Sequence, residues 1–303
     1  MTTQSDVPLP PARAGATDGV IHNIGYRGYQ GPRLGRSYAT RSLFVQGLRG
    51  AFGLGRSAKS KVLPMLMLAG ATLPAAMVVV LALIRKSDQL TTDYPHYLSG
   101  VGLLFFEIFV ASQAPVLLSR DLRYVTVPLY FSRPITRGDY VRAKCAAMVA
   151  ATLVVTVLPL LVLYVGALLG GMDFAHNTEH FGIGLLAALL YSLVFSAIGL
   201  VIAAATPRRG FGVAAIMGVL LVSEAVASVL AHLHGGPEDA SNAWPYVLGP
   251  SSLVERFVNR IFSLPTDVPT TTPGAVGAVV FGLEIVVLVV SAYALLLRRY
   301  RKI

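Results

Sequence analysis

Residues 145–169 read CAAMVAATLVVTVLPLLVLYVGALL, with no charged side chain from Cys145 to Leu169. The hydrocarbon core of a bilayer is crossed by about 20 apolar residues in helical form. In lipid a helix also satisfies its own backbone hydrogen bonds, which an isolated strand does not. This stretch therefore reads as a membrane-spanning helix, and the chain repeats the pattern. Val62–Ile84, Tyr97–Leu118, Phe181–Ala205, Phe211–Leu233 and Gly274–Leu297 have the same length and apolar character. Pro64, Pro74, Pro115 and Pro159 lie within or near these runs, where neighbouring helices re-satisfy the freed backbone groups.

The composition agrees. Across 303 residues, 54% are hydrophobic and 13% charged, and mean hydropathy is +0.65. Soluble domains carry about 25% charged residues. A disordered, collagen-like or disulfide-stapled chain is excluded for the bulk of the sequence. The single cysteine, Cys145, forms no internal disulfide. The first apolar run begins only at Val62 and is long enough to span, so it reads as an uncleaved anchor.

The basic residues set an expected orientation. With the N-terminus inside, 21 of the 25 Lys and Arg face the cytoplasm, and only Arg85, Lys86, Arg256 and Arg260 face out. Both termini are then cytoplasmic. The net charge of +10 is accounted for by this sorting and by contact with anionic membrane lipid. A nucleic-acid partner is not expected, since no basic patch sits on a soluble domain.

The segments between the spans carry their own signals. Residues 1–36 are rich in Pro, Gly and Ala and read as a disordered cytoplasmic tail. Within it, Gly25 to Gln30 interleaves aromatic and basic residues, read as membrane-proximal rather than RNA-stacking. Residues 37–61 read as an interfacial helix. Phe44, Leu48 and Phe52 form its apolar face, Arg49 and Arg56 lie to one side, and Gly47, Gly50, Gly53 and Gly55 weaken it. In the cytoplasmic loop 119–144, charges alternate with Leu122, Val125, Leu129 and Tyr130. That pattern suits either a short helix docking on a partner or a helix lying on lipid. In the outer loop 234–273, Ser252 and Glu255 suggest a capping box. An amphipathic helix would follow, with Leu253, Val254, Phe257, Val258, Ile261 and Phe262 on one face and Glu255, Arg256, Asn259 and Arg260 on the other. Trp244 and Tyr246 fit an aromatic belt.

Candidate chemistry is sparse. Gly53 to Ser60 nearly matches a phosphate-binding loop, but Ala58 replaces the second glycine and a span follows at once. Without a strand–loop–helix cradle the backbone amides do not wrap a phosphate, so no ATP hydrolysis is expected in this chain. His176 and His180 stand four residues apart around Glu179, in a segment read as a solvated loop. No third ligand is evident and no metal is expected. His232 and His234 read the same way, and no Ser/His/Asp set emerges. Gly166 and Gly170 form a GxxxG pattern that suits packing within a bundle or a dimer face.

Three glutamates, Glu107, Glu224 and Glu284, stand near the centres of the second, fifth and sixth spans. A mid-bilayer acid costs about 2.5–3.5 kcal/mol on insertion scales. No basic residue lies at the same depth in the sequence. Two readings stay open: a polar lining of a substrate path, or protonated carboxyls tying helices together.

The overall plan resembles the permease subunits of type-2 ABC exporters. It has a surface helix, six spans and a long outer segment before the last span. The most specific stretch follows the second span. It comprises Asp121, the run Leu129 to Arg137 with Ser132-Arg133-Pro134-Ile135-Thr136-Arg137 at its centre, Tyr140 and Lys144. The resemblance covers roughly 37–303. It implies an all-α integral membrane protein of six transmembrane helices, N-in and C-in, in the cell membrane. It also implies an interfacial helix at the start and an extracellular amphipathic helix before the last span. The chain would pair with a second permease, identical or homologous, and with two copies of an ATP-binding subunit. ATP and magnesium would be bound there, with no cofactor in this chain. Coupling would run through Arg120, Asp121, Arg123, Tyr130, Arg133, Pro134, Arg137 and Asp139, with Asp121, Tyr130, Arg133 and Arg137 most exposed to the partner. The implied function is ATP-driven export of a hydrophobic or amphipathic compound. The alternatives are a membrane scaffold or sensor recruiting a cytoplasmic partner, and a proton-coupled secondary transporter using the glutamates.

Overall fold

The computed structural model describes residues 31, 34–124, 126–132, 135–233, 240–264 and 275–302. The tail up to Gln30, Val125, Arg133, Pro134, His234 and 265–274 lie outside the described residues. Every element among the described residues is helical: α1 (Arg36–Ala51), α2 (Ala58–Arg85), α3 (Tyr94–Ser99), α4 (Val101–Leu117), α5 (Ser119–Arg123), α6 (Val127–Phe131), α7 (Arg137–Leu169), α8 (Phe174–Ala205), α9 (Arg209–Leu233), a 3₁₀ segment Ala240–Leu248, α10 (Pro250–Phe262) and α11 (Ala275–Arg301). Six helices are long and apolar enough to cross a membrane: α2, α4 running on into α5, α7, α8, α9 and α11. The chain is an all-helical, multi-pass membrane protein.

The helix ends differ from the hydropathy reading, and the reasons are local. The expected span Tyr97–Leu118 is broken at Gly100, whose ψ of −115° interrupts the helix between α3 and α4. Pro95 lies in the first turn of α3, where its missing N–H costs nothing. Helix α7 begins at Arg137, well before Cys145, because Thr136 and Asp139 close a reciprocal capping box. Helix α8 begins at Phe174 rather than Phe181, with the Asp173 side chain accepting from the His176 amide at 3.0 Å. The loop expected over 170–180 is therefore mostly helix, and His176, Glu179 and His180 stand on its first turns. Helix α10 starts at Pro250, not at Ser252. The Ser252 hydroxyl donates to the carbonyls of Tyr246 and Gly249, so the expected Ser252–Glu255 capping box does not form.

Helix α4 is the centre of the bundle. In its apolar window 72% of residues are buried, against 17% for α9 and 22% for α11. Phe106 packs edge-on against Phe195 of α8 at 5.1 Å, and Phe52, just after α1, meets Phe109 at 5.5 Å. Small residues bring the helices together. A Cβ at Gly166 would strike Val79 of α2, and one at Gly170 would lie 2.7 Å from Leu83. The GxxxG pair thus faces α2 inside the bundle. Helix α1 docks on α7 in the same way. Leu43, Gly47 and Ala51 form its buried face, and a Cβ at Gly47 would come within 2.9 Å of that of Ala147. The buried stripe is displaced from the expected Phe44–Leu48 face, and α1 ends at Ala51.

The chain alternates direction through the bundle. Helices α1, α5 and α6, the start of α7 and the end of α11 gather at one end. Helices α3 and α10 and the start of α8 gather at the other.

Candidate functional site

Two polar assemblies interrupt the apolar bundle. The first lies at the end built by α1, α5, α6 and α7. Asp121 of α5 is 8% exposed. Its Oδ2 accepts from the Tyr140 hydroxyl at 2.8 Å and pairs with Lys144 Nζ at 2.7 Å. Lys144 also donates to the Leu117 carbonyl at 3.0 Å, at the end of α4. Tyr140 is fully buried between Tyr130, Phe131 and Tyr300. Ser119, at the start of α5, donates to the Ala203 carbonyl of α8 at 2.8 Å. The short α5–α6 segment is thus bolted to α7 and α8 and, through Lys144, to the end of α4.

A second knot sits beside it. Asp139 receives Arg36 of α1 and Arg142 of α7, each at 2.5 Å, and the amide and hydroxyl of Thr136. The hydrogen bond to Asp139 raises the pKa of the exposed Arg36 guanidinium. Arg56, in the turn after α1, is held below its ordinary value by burial first and then by Arg120 and Arg209. Arg41, Arg49, Arg56 and Arg120 line a cavity of about 610 Å³ with Tyr38, Ser42 and Gln46. Such a cluster favours anions, lipid phosphate among them.

Of the expected coupling residues, Arg120, Arg123 and Arg137 are exposed. Arg137 lies over the Phe131 ring at 5.7 Å. Tyr130 is half-buried in the tyrosine cluster. Arg133 and Pro134 lie outside the described residues. Asp121 and Asp139 are buried, which corrects the expectation that Asp121 is among the most exposed. Both carboxylates hold the fold of the segment. The apolar tips that face outward are Leu129 at 68% exposure and Tyr124 at 64%. Nothing in the sequence pattern singles out Tyr124. Arg36 carries no sequence signal as a member of the site, since it meets Asp139 from 103 residues away. Thr136 lies in the motif from Leu129 to Arg137, and its spacing to Asp139 signals the capping box.

The second assembly joins the glutamates. Glu107 of α4 is 7% exposed, and Glu224 of α9 lies within electrostatic reach of it. Tyr191 of α8 senses both, together with Glu255 of α10. Oε2 of Glu224 is buried with no hydrogen-bond partner among the described residues, and it abuts Gly249 just before α10. Glu255 accepts from Ser99 at 3.1 Å. Glu284 does not join this group. It is half-buried on α11, between the exposed Leu283 and the buried Ile285.

Arg256 modifies the view that the glutamates lack a basic neighbour. It is buried in α10, stacked over the Tyr246 ring at 3.6 Å and within reach of Glu255 and Glu224. The sequence pattern places it on the polar face, with Glu255, Asn259 and Arg260. Helix α10 instead folds onto α8, α9 and α11 and buries Leu253, Val254 and Val258 with Arg256.

A six-span helical bundle with a charged, rigidly tethered segment after its second span is the frame of a transporter's membrane subunit. The sequence comparison is specific: a family model described as an ABC-2 family transporter protein matches residues 103–301. The chain belongs to this family of ABC transporter permeases. No curated protein matches it. A permease of this kind is a membrane transport component, not a catalytic domain, and it works with ATP-binding ABC subunits.

Proposed function

We propose that this chain is one membrane half of an ATP-driven exporter of a hydrophobic or amphipathic compound. Both of its termini lie in the cytoplasm. It pairs with a second permease, identical or homologous, and with two ATP-binding subunits that hold ATP and magnesium. The observation that carries the coupling part is the α5–α6 segment. It exposes Arg120, Arg123, Tyr124 and Leu129, with Arg137 exposed at the start of α7, while Asp121 anchors it to Tyr140 and Lys144 of α7. Apolar tips ringed by arginines suit a compact docking surface. A buried charge pair passes a push on α5 directly to α7, the long helix against which α1, α2 and α8 pack.

The arginine-lined cavity beside α1 supports a lipid contact at the same membrane face. The pair Glu107–Glu224 supports a polar patch on the substrate path where α4 and α9 meet. Glu284 is a weaker member, since it stands apart from that pair.

The test is charge reversal at Arg120, Arg123 and Arg137 together in the chain co-expressed with its ATP-binding subunit. Membrane insertion should survive, because many other basic residues keep the charge asymmetry. Co-purified ATPase and substrate-stimulated turnover should fall. Unchanged assembly and unchanged turnover would make this segment a lipid-facing surface only.

A further inference from the structure

At the end of the bundle opposite α5, the fold brings together three groups that are remote in sequence. His176 and His180 stand one turn apart on α8, with ring centroids 4.1 Å apart. Asp93, the residue before α3, reaches them from the α2–α3 connection. One ligand atom from each of the three lies within 4.8 Å of those of the other two.

The contact between His180 and Asp93 is unusual for a hydrogen bond. His180 Nδ1 lies 3.5 Å from Asp93 Oδ1. It is buried and makes no hydrogen bond among the described residues. A nitrogen left so costs free energy unless something else uses it. The distance suits another arrangement. Two ligands on one tetrahedral zinc ion, each about 2.0–2.1 Å from the metal, stand about 3.3 Å apart. The His180–Asp93 pair already has nearly that spacing, and small side-chain rotations bring His176 into range.

We propose that Asp93, His176 and His180 bind a divalent transition-metal cation, zinc by ligand chemistry. Two imidazoles and one carboxylate suit zinc better than magnesium or calcium, which favour all-oxygen sites. Zinc takes histidine as the neutral imidazole. Three protein ligands leave a fourth position open. Next to His176 is a cavity of about 330 Å³ lined also by Ser87, Asp88 and Asp173. It provides an entry path, and its two aspartates favour a cation.

The surroundings hold the donors in place. Tyr94, next to Asp93, is fully buried and donates to Asn177 Oδ1 at 2.9 Å. Asn177 in turn donates to the Asp173 carbonyl at 2.7 Å. The Phe181 ring stacks on Tyr164 at 4.5 Å and meets Tyr94 edge-on at 5.9 Å. Asp93 makes no side-chain cap to α3, so its carboxylate is not committed there. A bound ion would clamp the α2–α3 connection to α8, and with it the start of α4.

The test uses the full chain in detergent, without a polyhistidine tag, titrated with Co²⁺ and then Zn²⁺. One Co²⁺ per chain should bind with the visible absorption of a low-coordinate site, and Zn²⁺ should displace it. D93N, H176A and H180A should each weaken binding roughly tenfold or more. E179A and H232A should leave it unchanged. Zn²⁺ should raise the unfolding temperature of the wild type and not of D93N. If a variant fails to fold, histidine modification of the wild type decides: Zn²⁺ should protect His176 and His180 from diethyl pyrocarbonate. Equal modification with and without Zn²⁺, or wild-type affinity retained in all three variants, would overturn the site.

Discussion

Lys144 and Asp121 show how much a single residue carries here. Both are buried, and each neutralises the other. Removing one partner leaves an uncompensated charge in an apolar setting, at a cost of about 3–5 kcal/mol. K144M should therefore unfold at a markedly lower temperature than the wild type. The double variant D121N/K144M should recover much of that loss, since no charge is then stranded. A double variant no more stable than K144M would show that the pair is not the source of the effect. Glu107 and Glu224 invite a separate comparison. Glutamine keeps size and hydrogen bonding while removing the charge. E107Q or E224Q should change transport rate or its pH profile with little loss of assembled protein. Normal transport by both would leave the pair a structural tie between α4 and α9.

Among the elements, the contact of α2 with α7 is the most sharply specified. Gly166 admits Val79 where any side chain would collide. G166L should cost about 1–3 kcal/mol, the usual range for overpacking a close interface. Thermal unfolding in detergent reads this directly. If G166L unfolded like the wild type, the close approach of the two helices would be wrong. Helix α7 also shows why hydropathy misplaces helix ends. Arg137, Asp139, Arg142 and Lys144 look like a solvated loop on composition. The Thr136–Asp139 capping box starts the helix there, and Arg36, 103 residues away, and Asp121 then pair with Asp139 and Lys144. A window moving along the chain does not register such partners. The start of α8 has a local cause, since Asp173 caps it from within the expected loop.

For the whole molecule, the prediction is sidedness. Of the 25 basic residues, 21 fall on the segments assigned to the cytoplasm. In a Cys145-free chain, cysteine at Ser241 should react with an impermeant thiol reagent in intact cells. Cysteine at Ser37 should react only after permeabilisation. The reverse pattern would invert the topology. The apolar faces left open by α9 and α11, including Leu221, Val222, Val279, Leu283 and Val286, are exposed and suit contact with lipid. Their exposure follows from a central α4 that the other helices cover unevenly.

The number of spans and the kind of protein were legible in the sequence alone. Each apolar run long enough to cross a bilayer closes its own hydrogen bonds, so that decision is local. The motif from Asp121 to Lys144 likewise carried the family within one segment. Tertiary structure decided which polar groups meet. It brought Glu107 to Glu224, turned Arg256 inward, buried Asp121 and set Asp93 beside His176 and His180. The reason is geometric. Successive residues on a helix point about 100° apart, so a side chain's partner depends on the rotation and depth at which two helices pack. Hydropathy is nearly blind to that rotation. It emerges only when glycines, aromatic rings and buried pairs from distant segments are fitted together.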